Sequence, residues 1–560
     1  MDNTTNGTWW AEGDTPVHNK DSRVTYFVDG EAVLLEMCLC FMRAKHVIYL
    51  ANWGMEPDLL LVRGTALLVE QENEDLRAEY CAYLRSQGLQ EADIQFWLTH
   101  RLSVKEVLGY AVSKGVTVKV LLWKANPAFA VYDSHAAVEK LKEYDVAALE
   151  DDSSLGVLHH QIESLHQKVT VVDHGIAFVG GLDPLIEKSD DFDRWDTNQH
   201  VFDTPLRHTD SGKTPHGWHD THAKIEGAAA ADVELNFRQR WNYVVSRHQL
   251  GEQLLVPHQP EPARVESQSI VQIARTIPKH TYNFDKHAIQ GITQLYNHAL
   301  NNAQHFIYIE NQYFWLRAYY GVDLSLLGPD SPEMKEHLRQ IAAALRRGAT
   351  MSILLPDHPN VGRAFSDAGL DTLRRSVPEA VEEGRIRAFC LATSHFKMSD
   401  GLIHYRPIYV HSKAAIVDDH WSTVGSANLN NRGMRDDTEI NVATLDQSLA
   451  RGLRLLLQAE HLGLLKPDEL TVAARLYRKE QLKPNEQECA QQAWQQMESA
   501  LSDPHQAVQL MQQRAEENLQ HFKDRQPLNG HLLPYLTAEE ATEQGLDVRM
   551  DHGWIEEPEH

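Results

Sequence analysis

Apolar residues recur at helical spacing from Gly30 to Arg43, and the run His46-Val-Ile-Tyr-Leu-Ala51 behind them is short, β-branched and aromatic. The pair predicts a buried helix leading into a buried strand. Residues 65 to 100 read as a helical insertion charged on one side. Val104 to Lys114 then predicts a helix stopped by Gly115, and Val116 to Leu122 the next strand. The same order returns later. Ala303-Gln-His-Phe-Ile-Tyr-Ile-Glu310-Asn311 matches Ala44-Lys-His-Val-Ile-Tyr-Leu-Ala51-Asn52 at Ala, His, Ile, Tyr and Asn, and Arg347-Gly348 to Leu355 matches Lys114-Gly115 to Leu122. A repeated strand, helix, glycine stop and strand predicts a duplicated α/β chain of two lobes.

The Pro-rich stretch Val256-Pro-His-Gln-Pro-Glu-Pro262 marks the join. The expected layout is a first lobe over 1–255, a linker over 256–266, a second lobe over 267–465 and a polar, Gln-rich helical extension over 466–560. In the extension, Asn485 with Glu488 reads as a capping box ahead of Ala490, Ala493, Trp494, Met497, Ala500 and Leu501 at helical spacing. Asp503-Pro504 opens another helix, with Ala507, Val508, Met511, Ala515, Leu519 and Phe522 on one face. Packing of both against the second lobe is the expectation.

Charge narrows the function. A formal net charge of -26 over 560 residues argues against a general nucleic-acid binder, which must neutralise phosphates with Lys and Arg. Five scattered cysteines do not make a disulfide framework and read as reduced core residues. The N-terminus lacks the basic start and apolar core of a secretory signal, and the apolar segment from Ala32 to Met42 is too short to span a bilayer. Synthesis in the cytoplasm is expected.

The candidate chemistry lies in two stretches. His166-Gln-Lys168-Val-Thr-Val-Val-Asp173 is followed after six residues by Gly180-Gly181, and His411-Ser-Lys413-Ala-Ala-Ile-Val-Asp418 after six by Gly425-Ser426-Ala-Asn428. One His-x-Lys-x4-Asp arises by chance in roughly one such chain in ten, but two copies with the same glycine offset do not. His222-Ala-Lys224 is an internal control, because Ala229 stands where the aspartate belongs. Alternation along a strand points each His and its Lys the same way, and the small residues ending each return strand let an anion approach the backbone. Two imidazoles and two ammonium groups brought together suit a phosphodiester. One neutral ring attacks phosphorus, the other donates to the leaving oxygen, and the lysines offset charge on the non-bridging oxygens, so the chemistry requires no metal or other cofactor.

These residues resemble the phospholipase D superfamily, whose defining motif is this duplicated His-x-Lys-x4-Asp. Arg194-Trp-Asp196-Thr, Trp218-His-Asp220-Thr-His222-Ala-Lys-Ile-Glu-Gly227, Asn236-Phe-Arg-Gln-Arg240-Trp-Asn242, Val271-Gln-Ile-Ala-Arg275-Thr and Ile309-Glu310-Asn311-Gln312-Tyr313-Phe are similar to its eukaryotic-type branch. The resemblance implies a duplicated fold with mixed sheets flanked by helices. It implies His166 as nucleophile and His411 as the acid that later activates water, with Asp220 orienting His166 and Glu439 orienting His411. Lys168, Lys413 and Asn428 would hold the phosphate, together with Asp183 (at the position matching Asn428), Gly181 and Ser426, while Asp173 and Asp418 would be structural turn residues. The implied substrate is a membrane phospholipid, cleaved to phosphatidate and alcohol. The compact outline, without a recognisable PX, PH or C2 module, is similar to bacterial forms that include lipase effectors exported by type VI secretion, which implies a signal-independent export route and secretion-apparatus or immunity-protein partners. A transphosphatidylase, a nuclease of the same superfamily and a non-catalytic scaffold are the rival readings.

Other groups carry weaker signals. His216, His219 and His222 invite a zinc reading, but His222 lies in the resembling block and no Cys or Glu completes a ligand set, so no metal site is expected. Asp190, Asp191, Asp193 and Asp196 match a calcium loop only loosely, without its Gly and terminal Glu, and read as a solvated acidic loop. Trp9, Trp10, Trp53, Trp315, Tyr319 and Tyr320 are candidates for a lipid entrance, with core packing the expectation for Trp53 and Trp315.

Overall fold

The computed structural model describes residues 8–64, 74–127, 130–156, 159, 163–186, 192–207, 215–259, 262–319, 327–357, 362–549 and 553–555. Tyr320, Asp190, Asp191 and part of the Pro-rich linker, residues 260 and 261, lie outside them.

The duplication is literal. The first sheet runs Ser22–Val28, Thr221–Gly227, Ile176–Gly180, Val169–Val172, Val47–Asn52, Thr117–Trp123, Ala147–Asp151 from edge to edge. The second sheet contains the same series, Ile270–Ile277, Glu439–Leu445, Trp421–Gly425, Ala414–Val417, Phe306–Glu310, Thr350–Leu354, Ile386–Lys397. Both are mixed: the last three strands of each series run parallel and the others pair antiparallel. The helices Gly30–Arg43 and Gly291–Asn302 precede the matching central strands in each half. Gly115 and Gly348 each sit at positive φ (88° and 103°) just past a helix, where a Cβ would be strained although nothing crowds it.

Burial follows the layers. The two sheets share one core, to which Val171, Val179 and Ile225 contribute from the first and Ile416, Val424 and Val442 from the second. The long helices Ala230–Arg247 and Gln447–Leu462 are packed into it. A second core lies over the first sheet's other face, under Gly30–Arg43 and Val104–Ser113, and a third over the second sheet's.

The expected boundaries are crossed by hydrogen bonds. Gly217–His219, from the first half, pairs in parallel with Leu402–Val410 and extends the second sheet. His18–Asn19 pairs with Ile270 and Val271. The extension beyond 466 is also not purely helical. Its helices Pro467–Tyr477, Pro484–Leu501 and Pro504–Lys523 join the shared core, burying Ala490, Ala493, Met497, Leu501, Met511 and Ala515. Leu532–Pro534 then adds an antiparallel strand to Ile386–Lys397. The first of the two expected caps shifts by two residues and is half a capping box: Glu486 Oε2 accepts from the Lys483 N–H, and Pro484 presets the first helical turn. Asp503 caps the next helix as expected, accepting from the N–H groups of His505 and Gln506.

Candidate active site

Each His-Lys-Asp stretch enters its sheet the same way. Asp173 and His174, like Asp418 and Asp419, have positive φ and open the three-residue turns that join Val169–Val172 to Ile176–Gly180 and Ala414–Val417 to Trp421–Gly425. The Asp173 carboxylate accepts from the backbone N–H groups of Lys45, His46 and Val47, and Asp418 from those of Gln304, His305 and Phe306. Each motif aspartate thus caps the start of the adjacent central strand, far from the chemistry.

The histidines precede their strands and hydrogen-bond across the molecule. His166 N–H donates to Thr438 O, and Gln167 Nε2 to Glu439 O, so the first stretch lies along the start of Glu439–Leu445. His411 N–H donates to His219 O, at the end of Gly217–His219. The orienting carboxylates are consequently exchanged relative to the sequence expectation. Glu439 stands behind His166, with its two oxygens 3.0 and 3.1 Å from Nδ1, and Asp220 stands behind His411, with Oδ2 2.7 Å from Nδ1. Each half supplies the carboxylate for the other half's ring. The assignment implied by the resemblance fails because backbone pairing between the halves sets each carboxylate behind the other half's ring.

Burial dominates the electrostatics. Desolvation, and then the neighbouring cations Lys168 and Lys413, hold the His166 ring well below the usual imidazole range. Burial and then Lys413, Arg194 and Lys168 do the same to His411. Burial pushes the carboxyls of Glu439 and Asp220 up, opposed by the lysines. Both rings therefore rest neutral, with Nδ1 engaged by a carboxyl group and Nε2 left for chemistry. The His166 side chain is 14% exposed and that of His411 6%, so His166 is the more open to an incoming group.

The cations are compensated unequally. Lys168 Nζ lies 3.1 Å from Asp183 Oδ2, which Arg194 also contacts at 3.3 Å. Asp183 additionally accepts from Asn52 Nδ2 and Gly54 N–H. An acceptor-only carboxylate so placed anchors Lys168 and Arg194 and would repel a phosphate, so the phosphate-holding role expected of Asp183 does not fit its surroundings. In the second half Lys413 and Asn428 Nδ2 donate to the neutral Gln312 Oε1, at 3.1 and 3.2 Å. Gln312 Nε2 in turn donates to the hydroxyls of Tyr409 and Tyr313. Burial pushes the Lys413 ammonium well below its usual range, opposed first by the nearby Asp220 carboxylate.

Gly181 and Ser426 also serve a different purpose from the one expected. The Gly181 N–H donates to Thr221 O, and a Cβ there would lie 2.1 Å from Asp220 Oδ1. The anion that approaches this glycine is the protein's own carboxylate. Ser426 N–H donates to Ile440 O and its hydroxyl to Glu439 Oε2, fixing the carboxylate behind His166. Gly180 is a glycine because the His222 ring occupies the space of a side chain, with Nδ1 2.2 Å from a built Cβ.

Trp53 was expected in the core, but is half-buried and meets the His166 ring edge to face at 6.1 Å, with Lys168 and Arg194 over its own ring. Trp315 is buried as expected, and Trp9 is also buried, against His420. Arg194 and Gln312 stood in the recognisable sequence blocks without an assigned role; only their packing reveals one. Asp193 and Asp196 do not form a solvated acidic loop: both are buried, against Arg63 and Arg207. Among the described residues, groups able to converge on one metal ion include His219 but neither His216 nor His222. No helix among them is long and apolar enough to cross a membrane.

The family model for phospholipase D matches residues 98–321 and 403–551, and that for the cardiolipin synthase, PLD-like domain, matches 296–458. Phospholipase D alpha 1 of Zea mays is 27% identical over 76% of this chain and 62% of its own length, and phospholipase D alpha 2 of Oryza sativa subsp. japonica is 27% identical over 75% and 62%. The chain therefore spans less than two thirds of these relatives. Among solved structures, a phosphatidylserine synthase of Haemophilus influenzae aligns over 78% of this chain and 84% of its own, at 14% identity and a TM-score of 0.43.

Proposed function

The chain belongs to the phospholipase D family, and from that premise we propose that it hydrolyses the head-group phosphodiester of glycerophospholipids through a covalent phosphohistidine. One observation carries the reading: two neutral imidazoles, His411 buried and His166 partly open, each backed by a carboxyl group from the opposite half, stand among Lys168, Lys413 and Arg194. His166 Nε2 attacks phosphorus and the bond to the head-group oxygen breaks, with that oxygen taking a proton from His411. The substrate's negative charge favours the protonated ring that this step needs. His411 then removes a proton from water, which attacks phosphorus and frees His166. Lys168, Lys413 and the Asn428 amide offset charge on the non-bridging oxygens.

Incubation with mixed phospholipids, with and without ethanol, followed by mass spectrometry tests the reading. Phosphatidate is expected without ethanol and phosphatidylethanol with it. Inertness toward every phospholipid combined with DNA cleavage would replace the reading by a nuclease, which the charge of -26 disfavours. The match to a synthase-type domain over 296–458 supports transphosphatidylation as the second reading; product formed solely with an added alcohol would establish it. The finer reading is an exported lipase effector restrained by an immunity protein. Directing the chain to a bacterial periplasm should arrest growth with His166 intact and not with His166→Ala; harmlessness of the intact chain would sink it.

A further inference from the structure

The proposed reaction uses the first and last residue of each His-x-Lys and gives no part to the middle one, Gln167 or Ser412. Both are fully buried polar side chains, which are costly unless hydrogen-bonded. Their bonds lead to the same place in both halves.

The Gln167 amide is saturated. Its Nε2 donates to Glu439 O at 2.9 Å and to Asn236 Oδ1 at 3.3 Å, and its Oε1 accepts from Asn236 Nδ2 at 2.7 Å and from Arg240 Nη1 at 2.9 Å. Those four bonds use every donor and acceptor site of a primary amide. Arg240, buried in the helix Ala230–Arg247, is held in turn by Asp151 at 3.2 Å and the Tyr282 hydroxyl at 2.9 Å, and that hydroxyl donates to Asp151 as well. Gln167 therefore ties the chain between His166 and Lys168 to the backbone of Glu439, whose carboxyl backs His166.

Ser412 makes the corresponding link with one contact. Its hydroxyl lies 2.8 Å from Thr221 Oγ1. Thr221 follows Asp220 in the chain, and its N–H donates to Asp220 Oδ1 at 2.8 Å while Oδ2 faces His411. In each half, then, the residue between His and Lys is bonded to the segment that carries the carboxyl group behind that His. A glutamine and a serine, unlike in size and partners, make the same connection.

We propose that Gln167 and Ser412 are positioning residues, each holding one ring against the carboxyl group that the other half supplies. A ring and a carboxyl from opposite halves have no covalent neighbourhood to fix their separation, and the middle residue provides that constraint across the join. Misplacing a reacting group by roughly 1 Å can cost about 10²-fold in rate. The two links share no residue, so they govern different steps: Gln167 the attack by His166, Ser412 the activation of water by His411. The inference rests on the phosphohistidine reading.

Rapid quench with a soluble p-nitrophenyl phosphodiester, whose leaving group needs little acid, separates the two steps. Gln167→Glu keeps acceptors for Arg240 and Asn236 but loses the donor to Glu439 O, and Gln167→Met loses both. Each should slow phosphoenzyme formation by about 10–100-fold and leave phosphoenzyme hydrolysis unchanged. Ser412→Ala and Thr221→Val should do the reverse, slowing hydrolysis by about tenfold so that phosphoenzyme accumulates. Their double variant should be no slower than either single one, because both remove the same contact. A merely structural role would slow both steps or neither. Either of those results, in variants with native circular dichroism, overturns the assignment and leaves the phosphohistidine reading standing. A wild-type chain that forms no phosphoenzyme overturns both. Ser412→Ala and Thr221→Val, the smaller changes, decide alone where the Gln167 variants do not fold.

Discussion

The exchange of carboxylates separates two roles for nearly equivalent residues. Asp220 contacts His411 and Glu439 contacts His166, so their removal should block different half-reactions. With a phosphodiester bearing a good leaving group, Asp220→Asn should accumulate the phosphoenzyme, since the first step then needs little acid and the second lacks its oriented base. Glu439→Gln should form none, as its nucleophile is misaligned. Both should lower turnover by about 10²–10⁴-fold, and rapid quench with an acid-labile phosphate assay reads the difference; the reverse pattern would restore the sequence expectation. His166→Ala should be inactive on every substrate. The pH profile follows from the same burial: protonating the nucleophile abolishes attack, and its ring is held well below 6.5, so the acid limb of kcat/KM should fall below pH 6.5. A limb above pH 7 would contradict that.

The strand ends that carry these residues explain which parts of the site were legible in sequence. Local spacing revealed the two stretches, the helices and central strands of both halves, and the turn role of Asp173 and Asp418, because each depends on residues a few positions apart. Pairing between Gly217–His219 and Leu402–Val410 joins residues about 190 apart, and nothing local in either segment announces it. That pairing sets Asp220 behind His411 and, with the contact of His166 on Thr438 that sets Glu439 behind His166, crosses the expected domain boundary. Gly181 shows the same limit: its spacing was visible, but its reason, room for Asp220, requires the fold. Gly181→Ala should therefore lower activity by about 10²-fold or more while the circular dichroism stays native, since the added methyl displaces the carboxylate behind His411. Gly115→Ala, strained at φ 88° but in open space, should cost about 1 kcal/mol of stability and leave activity unchanged. Equal effects of the two on turnover would show that Asp220 tolerates the methyl.

Across the molecule, a chain with an excess of acidic residues brings cations together around the two active-site rings, and the interior holds several titratable groups away from their usual ranges. The formal charge is -26, whereas Lys168, Lys413 and Arg194 cluster at the centre. Acidification tests this interior. Burial pushes His337 down to about 4 and His222 and His531 to about 3, so these rings stay neutral when folded and protonate near 6.5 when unfolded. The unfolded chain then binds more protons between pH 6.5 and 4, and their contribution to stability falls as pH falls through that window. Buried carboxyls with raised values, such as Asp29 at about 7, oppose the trend, so a single-site comparison isolates the effect. His337, in the helix Pro332–Arg346 and remote from the active site, faces Tyr296 and Thr293. His337→Gln removes its titration of roughly 2.5 units, worth about 3 kcal/mol over the full window. The variant should lose less stability than the parent between pH 7 and pH 4.5 in urea titrations, whatever their difference at neutral pH. Parallel losses would mean that the folded His337 ring protonates as freely as an exposed one.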